Sequence, residues 1–229
     1  MRQERLAQRL RCAQSPAAPL RSGALTYTGL AVDPTGQVYV ANGASILVFA
    51  AGANGNVAPV RTLTGALTSI TGPNSLATDA SGNVYAVNSL AGTILEFSST
   101  ANGNVAPLKS ISGGSTALAS AYGVAVDTAG NIYATTQSSG TLGILEFAPT
   151  ANGNTTPTRT IQGTNTGINA IAGIRVDGVG TVYTVIINNQ GFPAIQEYSS
   201  TASGNVAPTA AISSPAAWTM SISGQFAIK

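Results

Sequence analysis

Eight carboxylates occur in this 229-residue chain, and seven of them fall on a grid. Asp33, Asp79, Asp127 and Asp177 each stand three residues before a glycine, while Glu96, Glu146 and Glu197 sit in the apolar runs ILEF, ILEF and IQEY. Glu4 is the remaining one. Acidic groups that converge can perform general acid–base work or hold Ca²⁺, so a ring of the four Asp is the first chemistry to weigh. The other side chains restrict it. Histidine is absent, which excludes a Ser-His-Asp arrangement, a Cys-His pair and any imidazole metal ligand. Cys12 is the single cysteine, so the sequence has no internal disulfide and no Cys-x-x-Cys motif. Glycines lie between strand-like runs with no helix after them, and no Gly-Lys-Ser or Gly-Lys-Thr occurs, so phosphate loops are not expected. The expected metal and cofactor complement is therefore none, with Ca²⁺ as the one ion the Asp ring would admit.

The grid repeats because the chain repeats. GLAVDPTGQVYVAN from Gly29, SLATDASGNVYAVN from Ser75, GVAVDTAGNIYATT from Gly123 and GIRVDGVGTVYTVI from Gly173 align on their Asp, with spacings of 46, 48 and 50 residues. Strand signals at such a period, without helical periodicity, predict a β-propeller. Each copy reads as four strands. Strand a is the AVD run, and Asp-x-x-Gly is its turn, since Asp bonds its own backbone and Gly accepts positive φ. Strand b carries Tyr39, Tyr85, Tyr133 and Tyr183, and strand c ends at Phe49, Phe97, Phe147 and Tyr198. A heptapeptide follows as ANGNVAP (Ala53–Pro59), ANGNVAP (Ala101–Pro107), ANGNTTP (Ala151–Pro157) and ASGNVAP (Ala202–Pro208). We read it as the c-to-d turn, with Pro opening strand d. Under this reading the structural role of the Asp residues, as turn formers, accounts for their repetition.

These copies resemble NHL repeats, the propeller blade also found in gluconolactonase-like and streptogramin-lyase-like proteins, over roughly Gly29 to Ser213. The resemblance implies an all-β propeller of four-stranded antiparallel blades. It does not carry lyase chemistry over, because that would be expected to need histidine.

The domain reading is a basic leader, short helix or partial strand over residues 1–16 and a propeller over 17–229. AQSPAAPLRSGALTY resembles ANGNVAPVRTLTGALT, so Pro19 to Ser22 is expected as a lone strand d. AWTMSISGQFAIK, Ala217 to Lys229, resembles an a-b pair without its Asp. Joined, the ends would make a composite fifth blade, with RLAQRLRC as a candidate strand c; an incomplete larger propeller is the alternative. Closure would remove exposed sheet edges.

Charge and composition narrow the partners. Arg2, Arg5, Arg9, Arg11 and Arg21 supply five of the ten basic residues, and the body has no cationic cluster for phosphates, so nucleic acid is not expected. No run of 18 apolar residues predicts a membrane span. With only 8% charged residues and many Thr and Asn, the body is like that of exported surface proteins, though the first twenty residues lack a signal-peptide apolar region. A monomer is expected.

Function should sit where the copies depart from each other. The b-c loops lengthen along the chain (ANGAS, VNSLAGT, TTQSSGTLG, VIINNQGFPA), and the residue before strand a varies as Thr28, Asn74, Tyr122 and Ala172. Arg175 replaces Ala31, Ala77 and Ala125. Asn74, Tyr122, Arg175, Asn188, Asn189 and Phe192 are the candidate ligand-binding site on the b-c and d-a loop face, with no catalytic residue named. The favoured function is a non-enzymatic binding module for a protein, peptide or small polar ligand. The alternatives are a lactonase- or lyase-like enzyme with a carboxylate/Asn-bound metal, and a five-bladed lectin; the latter suffers because Trp218 is the only Trp. Finally, Arg61 with Glu96, Lys109 with Glu146 and Arg159 with Glu197 are expected to form ion pairs between neighbouring blades.

Overall fold

The computed structural model describes residues 29–137, 142–188 and 191–213. They form four antiparallel four-stranded sheets, each built from consecutive strands in chain order. Blade 1 comprises β1 (Leu30–Val32), β2 (Val38–Asn42), β3 (Ser45–Phe49) and β4 (Arg61–Thr64). Blade 2 comprises β5 (Pro73–Thr78), β6 (Val84–Asn88), β7 (Thr93–Phe97) and β8 (Lys109–Ile111). Blade 3 comprises β9 (Ala121–Val126), β10 (Ile132–Thr136), β11 (Gly143–Phe147) and β12 (Arg159–Gln162), and blade 4 comprises β13 (Ala170–Val176), β14 (Val182–Ile187), β15 (Pro193–Tyr198) and β16 (Ala210–Ser213). The first strands lie side by side, β1 against β5, β5 against β9 and β9 against β13, which puts strand a innermost in every blade. The expected strand-d, strand-a and strand-b elements of the two chain ends lie outside the described residues.

A four-stranded sheet of this length is too small to be stable alone, so the blades bury their faces on each other. Tyr39, Ala41, Ile46, Val48 and Leu63 of blade 1 pack against Leu76, Val84, Ala86, Leu95 and Phe97 of blade 2. The next two junctions repeat this with Val87, Ile94 and Ile111 against Val124, Ile132 and Phe147, and with Ile144 and Ile161 against Ile174, Val182 and Tyr198. Strand alternation is what makes this possible, since every second residue faces the following blade.

The turn after strand a is built by its Asp. Asp33 Oδ1 accepts the backbone N–H groups of Thr35 and Gln37, each at 2.9 Å, and Asp79 and Asp127 do the same in their blades. The other carboxylate oxygen takes the hydroxyl of the strand-b Tyr: Tyr39 at 3.3 Å, Tyr85 at 3.3 Å and Tyr133 at 3.1 Å. Burial works against the charge of Asp33, yet the hydrogen bonds from Thr35, Gln37 and Tyr39 outweigh it and hold its pKa below the ordinary value. Each Asp is thus engaged by its own turn.

The heptapeptide does more than turn. It runs along strand d of the preceding blade and hydrogen-bonds to it. Gly103 N–H donates to Thr62 O at 2.8 Å and Gly103 O accepts from Thr64 N–H at 3.1 Å, a parallel bridge. Asn102 Oδ1 accepts Thr62 N–H at 3.0 Å, and Asn104 Oδ1 accepts Leu67 N–H at 2.8 Å in the 3₁₀ turn Ala66–Thr68. Asn152, Gly153 and Asn154 repeat all of this against Ser110, Ser112 and Ser115. At the third junction Gly204 and Asn205 keep their bonds, while Ser203 replaces the first Asn.

The expected ion pairs between blades are not formed. Lys109 Nζ lies 2.7 Å from Glu96 and Arg159 pairs with Glu146, both within one blade. Register explains this, because Glu96 stands directly opposite Lys109 and Glu146 opposite Arg159, one strand spacing away. The same three cations still join the blades through backbone oxygens. Arg61 donates to Ala101 O at 3.1 Å, Lys109 to Pro149 O at 2.9 Å and Arg159 to Ala202 O at 2.9 Å. In blade 1, where Val48 replaces the Glu, Arg61 instead takes Gln37 Oε1 at 2.9 Å and lies 5.8 Å from the centre of the Tyr39 ring.

Candidate functional site

Thr28 lies outside the described residues, but Asn74, Tyr122 and Ala172, the varying residues before the other three AVD-like runs, lie inside strand a, at an irregularity it repeats. In β5 the pairing with β6 slips between Pro73 and Ser75, which leaves Asn74 in a bulge. In β9 the slip leaves Tyr122 there, and in β13 it leaves Ala172. A bulge re-aims one side chain at the end of a strand, so these positions vary without disturbing the ladder on either side. Sequence reading set them outside the strand because a bulge breaks the alternation by which strands are recognised.

Two of the candidates are brought together. Asn74 Nδ2 donates to Ser89 Oγ at 2.6 Å, and Ser89 Oγ donates in turn to Ala121 O in the next blade, beside Tyr122. One blade further, Gln137 Nε2 donates to Ile171 O, beside Ala172. Ser89 and Gln137 were missed by sequence reasoning. Their common signal is that each directly follows the last residue of strand b, a position whose side chain reaches across the gap to the following blade. Val124 N–H donating to Ser75 Oγ at 3.2 Å adds a third polar bond between blades on the inner strands.

Asn188 and Phe192 also come together, but Asn188 serves its own loop. Its Oδ1 accepts Phe192 N–H at 3.0 Å, its N–H donates to Phe192 O at 2.9 Å, and its carbonyl accepts from Asn169 Nδ2 at 3.0 Å. Phe192 is partly exposed at the end of that loop. Asn189 lies outside the described residues.

Arg175 does not join them. It lies two residues before Asp177, at the opposite end of strand a from the bulge. Register places Arg175, Tyr183, Glu197 and Ala210 in one cross-strand row, where blade 2 has Ala77, Tyr85, Glu96 and Lys109. The cation that blades 1 to 3 carry on strand d is therefore found on strand a in blade 4, with Ala210 in the vacated place. Burial pulls the Arg175 pKa down from its ordinary value, and its guanidinium donates to Ile174 O at 2.7 Å. We read Arg175 as a relocated scaffold charge in this row, not as part of the loop-face site.

What remains on the b-c and d-a face is a set of amides, hydroxyls and the half-buried Tyr122, with Leu67, Leu90 and Phe192 exposed around them. Such groups can donate and accept hydrogen bonds and offer apolar contact. Among the described residues no group of three or more His, Cys, Asp or Glu side chains is placed to hold a metal ion, and no helix is long and apolar enough to cross a membrane.

Comparison with solved structures agrees with this architecture. A WD40-like propeller from the crystal structure of the mitotic checkpoint complex superposes with a TM-score of 0.54 at 13% identity, over 81% of this chain and 51% of that one. The fold is a β-propeller. This chain spans about half the length of that solved chain. No family model matches it, and no curated protein does. In all, 221 solved chains match, a breadth that fits a fold hosting many unrelated functions and so carries architecture alone.

Proposed function

We propose that this protein is a non-enzymatic interaction module, a propeller whose b-c and d-a loop edge contacts a protein or peptide. The observation that carries the reading is the contrast between its edges. The Asp turns of all four blades and the heptapeptides of blades 2 to 4 largely keep their hydrogen bonds from blade to blade, whereas the b-c loops differ in every blade. Leu90, at the tip of one, is 94% exposed. An exposed aliphatic side chain gains nothing for folding, and on the same edge as Leu67 and Phe192 it suits docking. The mitotic checkpoint complex is an assembly, and a propeller within a complex agrees with this use. The NHL-like character of the repeats belongs to the same proposal, as does the view that no reaction is catalysed.

A photo-crosslinking amino acid at Leu90, at Phe192 and at Val179 tests it in the source cells. Val179 is also exposed but lies on the Asp-turn edge. Discrete protein adducts from positions 90 and 192, and none from 179, are expected. Equal labelling from all three would sink the assignment of the face.

A further inference from the structure

The three described junctions share one contact at the outer rim. Gly65, Gly113 and Gly163, just after strand d, hold φ of 112°, 117° and 120°. A Cβ on these glycines would lie 2.5, 2.6 and 2.5 Å from the side-chain oxygens of Asn104, Asn154 and Asn205. Those oxygens accept the N–H groups of Leu67, Ser115 and Asn165. Glycine and asparagine are therefore a matched pair: the amide can reach the 3₁₀ turn only where no side chain stands opposite.

The outward faces of blades 1 and 4 lack this junction among the described residues. Blade 1 carries the heptapeptide, yet Ala53 to Ala58 are exposed throughout, and Leu30 is 47% exposed where its counterpart Leu76 is 2%. On blade 4, Ile212 is 59% exposed where Leu63 is 0%. The face of blade 1 is apolar, whereas that of blade 4 also carries the row of Arg175, Tyr183 and Glu197.

We propose that the chain's own residues 13–26 dock on the free face of blade 1, with Gly23 against Asn56. Ala13 to Thr26, AQSPAAPLRSGALT, aligns with Ala53 to Thr68, ANGNVAPVRTLTGALT, ending in the identical GALT. The alignment needs a two-residue gap in strand d, which preserves the alternation of faces. Gly23 then takes the place of Gly65, opposite Asn56. Gly23 with Asn56 would thus repeat the glycine–asparagine pair that the three described junctions share.

The tether fits. Gly23 and Gly29 are six residues apart, a reach of at most about 20 Å. Crossing three strand spacings and one sheet-to-sheet separation takes about 17 Å. So short a connection holds the segment at high local concentration beside its face, which favours it over a second copy.

Melting temperatures of the full-length chain test this, with Asn104→Ala as the reference. Asn56→Ala should lower the melting temperature by about as much as Asn104→Ala, and Gly23→Ala combined with Asn56→Ala should cost less than the two single changes summed. The amide of Gly55 should exchange with deuterium as slowly as its counterpart Gly103, and should do so unchanged on dilution in a sample that light scattering shows to be monomeric. An Asn56→Ala variant as stable as the parent, fast exchange at Gly55, or protection that disappears on dilution would each overturn the proposal, the last by pointing to a second copy.

Discussion

Two edges of this propeller are made from the same repeats and behave differently. Along the outer rim and the Asp turns, the three described junctions repeat one another's bonds: Asp to its turn and its Tyr, Asn to the preceding 3₁₀ turn, a cation to a carbonyl of the next blade. Along the b-c edge nothing is reissued unchanged. Ser89 and Gln137 still cross to the next blade, but at the corresponding places blade 1 has Gly43 and blade 4 has Ile187, neither of which carries a side-chain donor. Where every copy must satisfy the same buried backbone groups, the residues are fixed by the fold. Where the loops face water, they are free to be fixed by something else. This is why the loop edge is the place to look for function.

The sharpest way to break that contrast is at the rim. In Gly113→Ala the new Cβ would meet Asn154 Oδ1 at 2.6 Å, on a backbone whose φ of 117° suits glycine. Strain of about 1–3 kcal/mol and loss of the Asn154 bond, about 1 kcal/mol, should together lower stability by about 2–4 kcal/mol, read as the midpoint of urea unfolding. Adding Asn154→Ala should recover part of it, because the collision is removed while the backbone strain remains. A single variant as stable as the parent would mean that the rim is not the rigid region described here.

That rim shows where sequence reading stopped. The Asp turns were legible because an Asp turn is local, with every partner within six residues. The strands were legible from their alternation, and the repeat from its period. The heptapeptide was legible as a turn, but its partner lies about 40 residues upstream in another blade, and no pattern within ANGNVAP announces it. Ion pairing failed for a related reason. The charges of Glu96, Glu146 and the three cations permit either scheme, and only register decides that Glu96 faces Lys109. Asn74 and Tyr122 stand out in the sequence as variable, yet the bulges that hold them, and the links through Ser89 and Gln137, become visible only once the strands are paired. Arg175 stood out for its type, and its cross-strand row supplied a different meaning.

A smaller effect comes from the Tyr hydroxyls that bind the Asp turns. Burial first, then the negative charges of Glu96 and Asp79, push the Tyr85 phenol well above its ordinary pKa near 10. A raised pKa in the folded state gives stability that is complete below pH 10 and is lost as pH climbs from there toward the folded value. Unfolding midpoints in urea at pH 9, 10 and 11 should therefore fall across the upper step. Tyr85→Phe should flatten that fall by about 0.5–1 kcal/mol per pH unit, solvent screening keeping it below the full 1.4 of an isolated group. At pH 9 the variant should be slightly less stable than the parent, having lost the bond to Asp79. An unchanged alkaline slope would show that Tyr85 ionises as readily folded as unfolded.

The smallest stability effect should come from the loop edge, and its smallness is the point. Leu90→Ser removes an aliphatic side chain that is almost wholly in water, so its folded and unfolded states lose nearly the same contact. The change in stability should stay within about 0.5 kcal/mol, as for surface substitutions away from structural features. A side chain held in solvent at no benefit to the fold is one whose loss should be felt only by a partner. If Leu90→Ser instead unfolds at a clearly lower urea concentration than the parent, Leu90 is packed against something within this chain. The b-c edge would then be scaffold like the rim, and the division between the two edges would not hold.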